Sequence, residues 1–154
     1  MINSLSYQQW DAIADAYIPG LALLVVARLA AAWRAAGSGA VRPAIEALLW
    51  SLLWVYGLMW VDRQWALWPR LGLDYSTHTA LALVWVVAVA AAGPRSALLG
   101  TLSMLAYAGL MRYQHYHSVQ DMLSTALVVL PPTLWLQGRA QQALPVVDET
   151  MRNQ

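Results

Sequence analysis

Cysteine, lysine and phenylalanine are all missing from this chain of 154 residues. Without cysteine there are no disulfides and no thiolate metal sites. The absence of lysine and phenylalanine, beside plentiful arginine and tryptophan, carries no mechanism. Charge is scarce as well: 11% of residues are charged, where a water-soluble surface wants roughly 25–35%. The formal net charge is only +1 and no basic run occurs, so the electrostatic footprint of a nucleic-acid binder is absent. The N-terminus lacks the pattern of a signal peptide. It is polar (Asn3, Ser4, Ser6, Gln8, Gln9) and carries Asp11 and Asp15 in place of basic residues.

What the chain does have is apolar length. Hydrophobic residues make up 60% of it and the mean hydropathy is +0.48. A bilayer core takes about 20 apolar residues per helix, with roughly 17–25 tolerated. Five windows approach this: Tyr17 to Trp33, Pro43 to Val61, Thr79 to Ala92 with the segment before it, Ser96 to Met111, and Val119 to Gln137. The breaks between them carry turn formers: Gly37-Ser38-Gly39, Pro69, Gly72, Gly93-Pro94, and the polar run from Arg112 to Ser118. The expected fold is therefore all-α, a polytopic membrane bundle of about five transmembrane helices. Pro131-Pro132 falls inside the fifth window, where a kink is expected, the freed carbonyls being satisfied by neighbouring helices. Leu5, Trp10, Ile13 and Tyr17 fall near helical spacing among polar residues, which makes residues 1–16 an interfacial amphipathic segment or, as the plainer alternative, a loose polar leader. A transmembrane domain is expected over 17–137 and a polar C-terminal tail over 138–154.

Arginine sets the orientation. With five spans, Arg34, Arg42, Arg95, Arg139 and Arg152 share one side, with Arg28 close to it, while Arg63, Arg70 and Arg112 take the other. The bias puts the N-terminus outside and the C-terminus in the cytoplasm. Trp60, Trp65, Trp68, Tyr75, Tyr113 and Tyr116 gather on the outer side, as an aromatic belt does.

Parity brings the second and fourth loops to that same outer face. Between them they hold Asp62, Arg63, Arg70, Asp74, Ser76, His78, Arg112, His115, His117 and Asp121, which includes every histidine of the chain. Ionisable residues at membrane depth are costly and point to function. Arg63 and Arg70 are seven apart, about two helical turns, so both can face one point. Ser76 and His78 stand where the third helix begins, an end whose free N–H groups suit a phosphate. His117 and Asp121 are four apart, so the carboxylate can bond one ring nitrogen, fix the tautomer and raise the basicity of the other. Cations for charge, one histidine to attack and one to donate a proton make a phosphoryl-transfer constellation. Each residue also has a plainer use: the arginines as interfacial anchors, His78 as a helix-start residue, His117 with Asp121 as a structural pair. A metal site at His115, His117 and Asp121 is disfavoured because the two histidines diverge on a helix.

These residues resemble the signature of the type 2 phosphatidic acid phosphatase superfamily: Lys-x6-Arg-Pro, then Pro-Ser-Gly-His, then Ser-Arg-x5-His-x3-Asp. Arg63-QWALWP-Arg70-Leu71 is similar to the first part, Tyr75-Ser76-Thr77-His78 to the second, and His117-SVQ-Asp121 to the end of the third. Arg112 stands five residues before His117 where the family has six, and Met111 holds the aligned position. The resemblance implies that His117 attacks phosphorus to form a phosphohistidine, Asp121 orients it, and His78 protonates the leaving oxygen. Arg63, Arg70, Ser76, Thr77 and Arg112 would hold the phosphate, with no metal and no cofactor. The implied protein is a lipid phosphatase of the bacterial inner membrane, its site periplasmic and its substrate a lipid phosphate or polyprenyl pyrophosphate. Two other classes stay open: a catalytically degenerate relative that binds a lipid phosphate or serves as a structural membrane subunit, and a small transporter or channel, which the apolar midplane disfavours.

Overall fold

The computed structural model describes residues 6–142. They form five helices: α1 Tyr7–Ala36, α2 Ser38–Trp65, α3 Thr77–Ala90, α4 Pro94–Tyr113 and α5 Val119–Gln142, with a short 3-10 turn at Pro69–Leu71. No strand occurs among the described residues. Three helices, α1, α2 and α5, are long and apolar enough to cross a membrane. Their outer faces carry Leu23, Leu24, Leu49, Trp50, Leu53, Leu127 and Leu134, all well exposed. A soluble protein rarely leaves so much apolar surface bare.

α1 starts on a capping box: the Ser6 hydroxyl accepts from the Gln9 backbone N–H while the Gln9 side chain accepts from the Ser6 N–H. From there it runs unbroken for 30 residues. The expected boundary at 16/17 is therefore not a break in the helix; the amphipathic stretch, from Tyr7 on, is the first two to three turns of the first span. A single residue, Gly37 at φ 79°, reverses the chain into α2, a conformation that glycine adopts without strain. At the other end α5 continues through Gly138 to Gln142, past the expected end at Gln137. The rest of the tail, 143–154, lies outside the described residues, as do the first five.

α3 occupies the middle of the bundle and packs against all four other helices. Nine of its 14 residues are buried. Its sequence is apolar on every side, as a helix enclosed on every side requires. It spans about 21 Å at 1.5 Å per residue, short of a bilayer core of about 30 Å. Val55, Val84 and Val129, from α2, α3 and α5, are fully buried together at the centre. Gly100 of α4 faces α3, where a β-carbon would stand 3.3 Å from Val86. Gly109 of the same helix has open space, and a β-carbon there meets nothing within 4 Å. In α5 the two prolines leave the helix unbroken. Pro132 cannot bond the Val128 carbonyl, and the indole of Trp54 on α2 donates to that carbonyl at 3.2 Å, as expected of a neighbouring helix.

Candidate active site at one end of the bundle

The helices alternate in direction, so the start of α1, the end of α2, the start of α3, the end of α4 and the start of α5 meet at one end. That end holds the histidines. The α2–α3 connection is shaped by local bonds. α2 stops at Ala66, which turns left-handed at φ 49°, and the Asp62 carboxylate accepts from the Trp68 backbone N–H at 2.8 Å. Trp68 is buried, donates through its indole to Ser124 on α5 at 3.0 Å, and meets Tyr75 edge to face. Tyr75 in turn donates to the Val55 carbonyl at 3.0 Å. The segment before α3 is thus pinned to both α2 and α5.

Ser76 caps α3. Its hydroxyl accepts from the Thr79 N–H at 3.2 Å and donates to the Thr79 hydroxyl at 2.9 Å, while its own N–H donates to Thr125 at 3.0 Å. The side chain is fully buried. The hydroxyl expected to bind phosphate is consumed inside the fold. Thr77, beside it, is half-buried.

In the α4–α5 connection, one residue after the Gln114 cap, His115 turns left-handed at φ 59°. The Tyr116 N–H donates to the Met111 carbonyl and the His115 N–H to that of Arg112, a helix-ending arrangement that favours glycine at the left-handed position. Ser118 then starts α5 by exchanging bonds with Asp121. The Asp121 carboxylate accepts from the Ser118 N–H at 2.8 Å and its hydroxyl at 2.6 Å, and the Ser118 hydroxyl accepts from the Asp121 N–H at 3.1 Å. The other Asp121 oxygen accepts from the Asp74 N–H at 2.8 Å. Asp121 is 8% exposed. It clamps the two loops together and makes no hydrogen bond to His117, against the expectation from their spacing. The capping box overrides the i,i+4 pairing, because His117 lies before the helix starts and its direction is not set by helical geometry.

The carboxylate beside His117 is that of Asp74, whose oxygen is 3.6 Å from Nδ1. That nitrogen is buried without a hydrogen-bond partner. Burial lowers the His117 pKa from its ordinary 6.5; Asp74 opposes the shift and His78 adds to it. The ring is therefore neutral near pH 7. His78, the second residue of α3, is exposed, with its ring centre 6.1 Å from that of His117. On its other neighbour it stacks with Tyr116, 6.0 Å between centres and 16° from parallel. The Tyr116 hydroxyl donates to Asp11 on α1, a bond that pushes the phenol up to about 12. Trp10 meets Tyr113 edge to face beside it. The first turns of α1 thus cover the histidine loop.

Arg63 lies in the last turn of α2, Arg70 in the 3-10 turn and Arg112 in the last turn of α4; all three are exposed at this end. Among the described residues the only ion pairs are Arg42–Glu46 and His117–Asp74, so these three cations have no carboxylate partner there. The seven-residue spacing of Arg63 and Arg70 is not two turns of one helix, since α2 ends at Trp65 between them. Met111 is fully buried in the core, and Arg112 is the exposed neighbour. Asp74, Tyr116, Asp11 and Ser118 stand outside the phosphoryl-transfer pattern visible in the sequence. Only Ser118 carried a local signal, the Ser-x-x-Asp of a capping box. Asp11 and Tyr116 are 105 residues apart, and nothing local joins them.

The arrangement offers a neutral, half-buried imidazole beside an exposed one, with three exposed arginines at the same end of the bundle. Compared with protein-family models, with curated proteins and with solved structures, the chain matches none.

Proposed function

We propose that this chain is an integral membrane phosphatase that removes phosphate from a lipid phosphate or pyrophosphate through a phosphohistidine. The observation that carries the reading is the 6.1 Å approach of His78 and His117 at one end of the bundle. At that distance between ring centres both imidazoles can reach one phosphoryl group, one as nucleophile and the other as proton donor. The Nδ1 of His117 is turned to Asp74, so Nε2 attacks phosphorus. The bond from phosphorus to the lipid oxygen breaks as the N–P bond forms, and protonated His78 gives that oxygen its proton. Water then attacks the phosphohistidine with His78 as base, releasing phosphate and the free imidazole. Arg63, Arg70 and Arg112 supply charge to the phosphate oxygens. The motif order of the type 2 phosphatidic acid phosphatases supports the same assignment, with Asp121 as the clamp that fixes the loop.

In this reading all five helices cross a bacterial inner membrane, with the histidines on the periplasmic side. α3 is short for a span, but it is enclosed by the other four helices and its ends need not meet lipid. A site at headgroup depth lets the acyl chains stay in the bilayer while water reaches phosphorus.

One observation favours a second reading, that of a lipid-phosphate-binding relative without catalysis. The Ser76 hydroxyl and the Asp121 carboxylate are both spent on the fold. Phosphate release from a panel of lipid phosphates, by the purified chain in detergent, separates the two. Release that persists in EDTA and is lost in both His117→Ala and His78→Ala is the expected result. No release from any lipid by the folded protein would leave the binding role.

A further inference from the structure

At the end of the bundle away from the histidines, α1, α2, α3 and α5 line a half-open cavity of about 190 Å³. Its walls are apolar, among them Ala44, Leu48 and Ala88. Three polar side chains interrupt them: Gln137, Arg28 and the exposed Gln141. Gln137 on α5 is 4% exposed, and its amide nitrogen is buried with no acceptor. Interiors almost always pair such groups, and an unpaired donor lining a cavity calls for an acceptor from outside the chain. Arg28 on α1 is exposed at the rim and spends one nitrogen on the Val89 carbonyl at 3.2 Å. A guanidinium carries five N–H donors, and among the described residues Arg28 has no carboxylate partner.

Gln137 and Arg28 both donate and neither finds an anion. The ligand that fits them is anionic and rich in acceptor oxygens. The cavity is open on one side, so it need take only the phosphate and its glycerol while the rest of a lipid lies outside. α1, α2 and α5 are long and apolar enough to stand in a bilayer, so acyl chains can run out along them while the head sits inside. Basic pockets between membrane helices take anionic headgroups on these terms.

We propose that this cavity binds the headgroup of an anionic glycerophospholipid from the leaflet opposite the histidines. Arg28 pairs with the phosphodiester and the Gln137 amide donates to a phosphate or ester oxygen. The proposal stands whether or not the histidines catalyse.

The test titrates the full chain in detergent with phosphatidylglycerol, phosphatidylcholine or inorganic phosphate, following lipid retention by native mass spectrometry and the thermal midpoint. Phosphatidylglycerol is expected to bind about tenfold tighter than phosphatidylcholine, whose choline ammonium offsets the phosphodiester charge and repels Arg28, and inorganic phosphate is expected to have no effect. Arg28→Gln should erase the preference. Gln137→Met should weaken phosphatidylglycerol binding about tenfold while the lipid-free midpoint holds or rises, because an unpaired buried donor has been removed. Ala44→Leu, which fills the cavity, should block retention. Equal binding of the two lipids, protection by inorganic phosphate alone, or a lipid-free midpoint that falls in Gln137→Met would each overturn the proposal.

Discussion

Removing the Asp121 side chain takes the acceptor from three donors at once, the N–H groups of Asp74 and Ser118 and the Ser118 hydroxyl. A buried donor left without a partner costs about 1–3 kcal/mol, so Asp121→Ala should lose roughly 3 kcal/mol of stability, read as a lower thermal or denaturant midpoint. Were Asp121 instead a partner of the His117 ring alone, activity would vanish at nearly unchanged stability. Asp74 acts on His117 through charge. Burial lowers the His117 pKa below 6.5 and Asp74 holds it up. Hydrolysis should therefore rise with pH along a limb whose midpoint lies below 6.5, as the neutral nucleophile appears, and Asp74→Asn should move that limb to lower pH. A limb that stays put would place Asp74 outside the site's electrostatics. The same shift has a stability sign. An unfolded His117 takes up its proton near 6.5 and the folded one only at lower pH, so its contribution is intact above 6.5 and is lost as pH falls toward the folded value.

Helices were the legible elements. The apolar windows from Tyr17, Pro43, Thr79, Ser96 and Val119 each correspond to one helix, α1 to α5 in order. The ends were less legible because polar residues extend a helix without adding to its apolar run: α1 begins at Tyr7 and α5 reaches Gln142. Which face of a helix meets which neighbour was not legible at all. Gly100 and Gly109 look alike in sequence, yet only Gly100 meets another helix. Gly100→Leu should therefore push α4 off α3 and cost about 1–3 kcal/mol as overpacking does. Gly109→Ala has open space and should stabilise α4 by up to about 1 kcal/mol. Chemical denaturation of the two variants in detergent compares them; equal effects would mean that the α3–α4 contact is not tight at Gly100.

For the whole molecule, the absence of cysteine makes membrane topology directly measurable, since any introduced cysteine is unique. His115→Cys lies in the α4–α5 connection and Ser38→Cys at the start of α2, at opposite ends of the bundle. In sealed inside-out and right-side-out vesicles, an impermeant thiol reagent should reach one of them from each side. Labelling of both from the same side would remove the five-span topology and, with it, the placement of the histidines on a single membrane face.

The sequence by itself determined the class. Apolar runs separated by glycine, proline and polar clusters admit little other than helices packed in lipid, since backbone polar groups in a bilayer must be bonded within the element. It also determined that both histidine loops fall at one end, because helices joined by short connections alternate in direction. Only the tertiary structure decided which carboxylate faces His117, that the Ser76 hydroxyl is sealed inside the fold, and that Asp11 reaches Tyr116 over the site. Those contacts join residues on different helices, or in loops whose backbone is set by caps and turns. The spacing rules of a regular helix have no hold there.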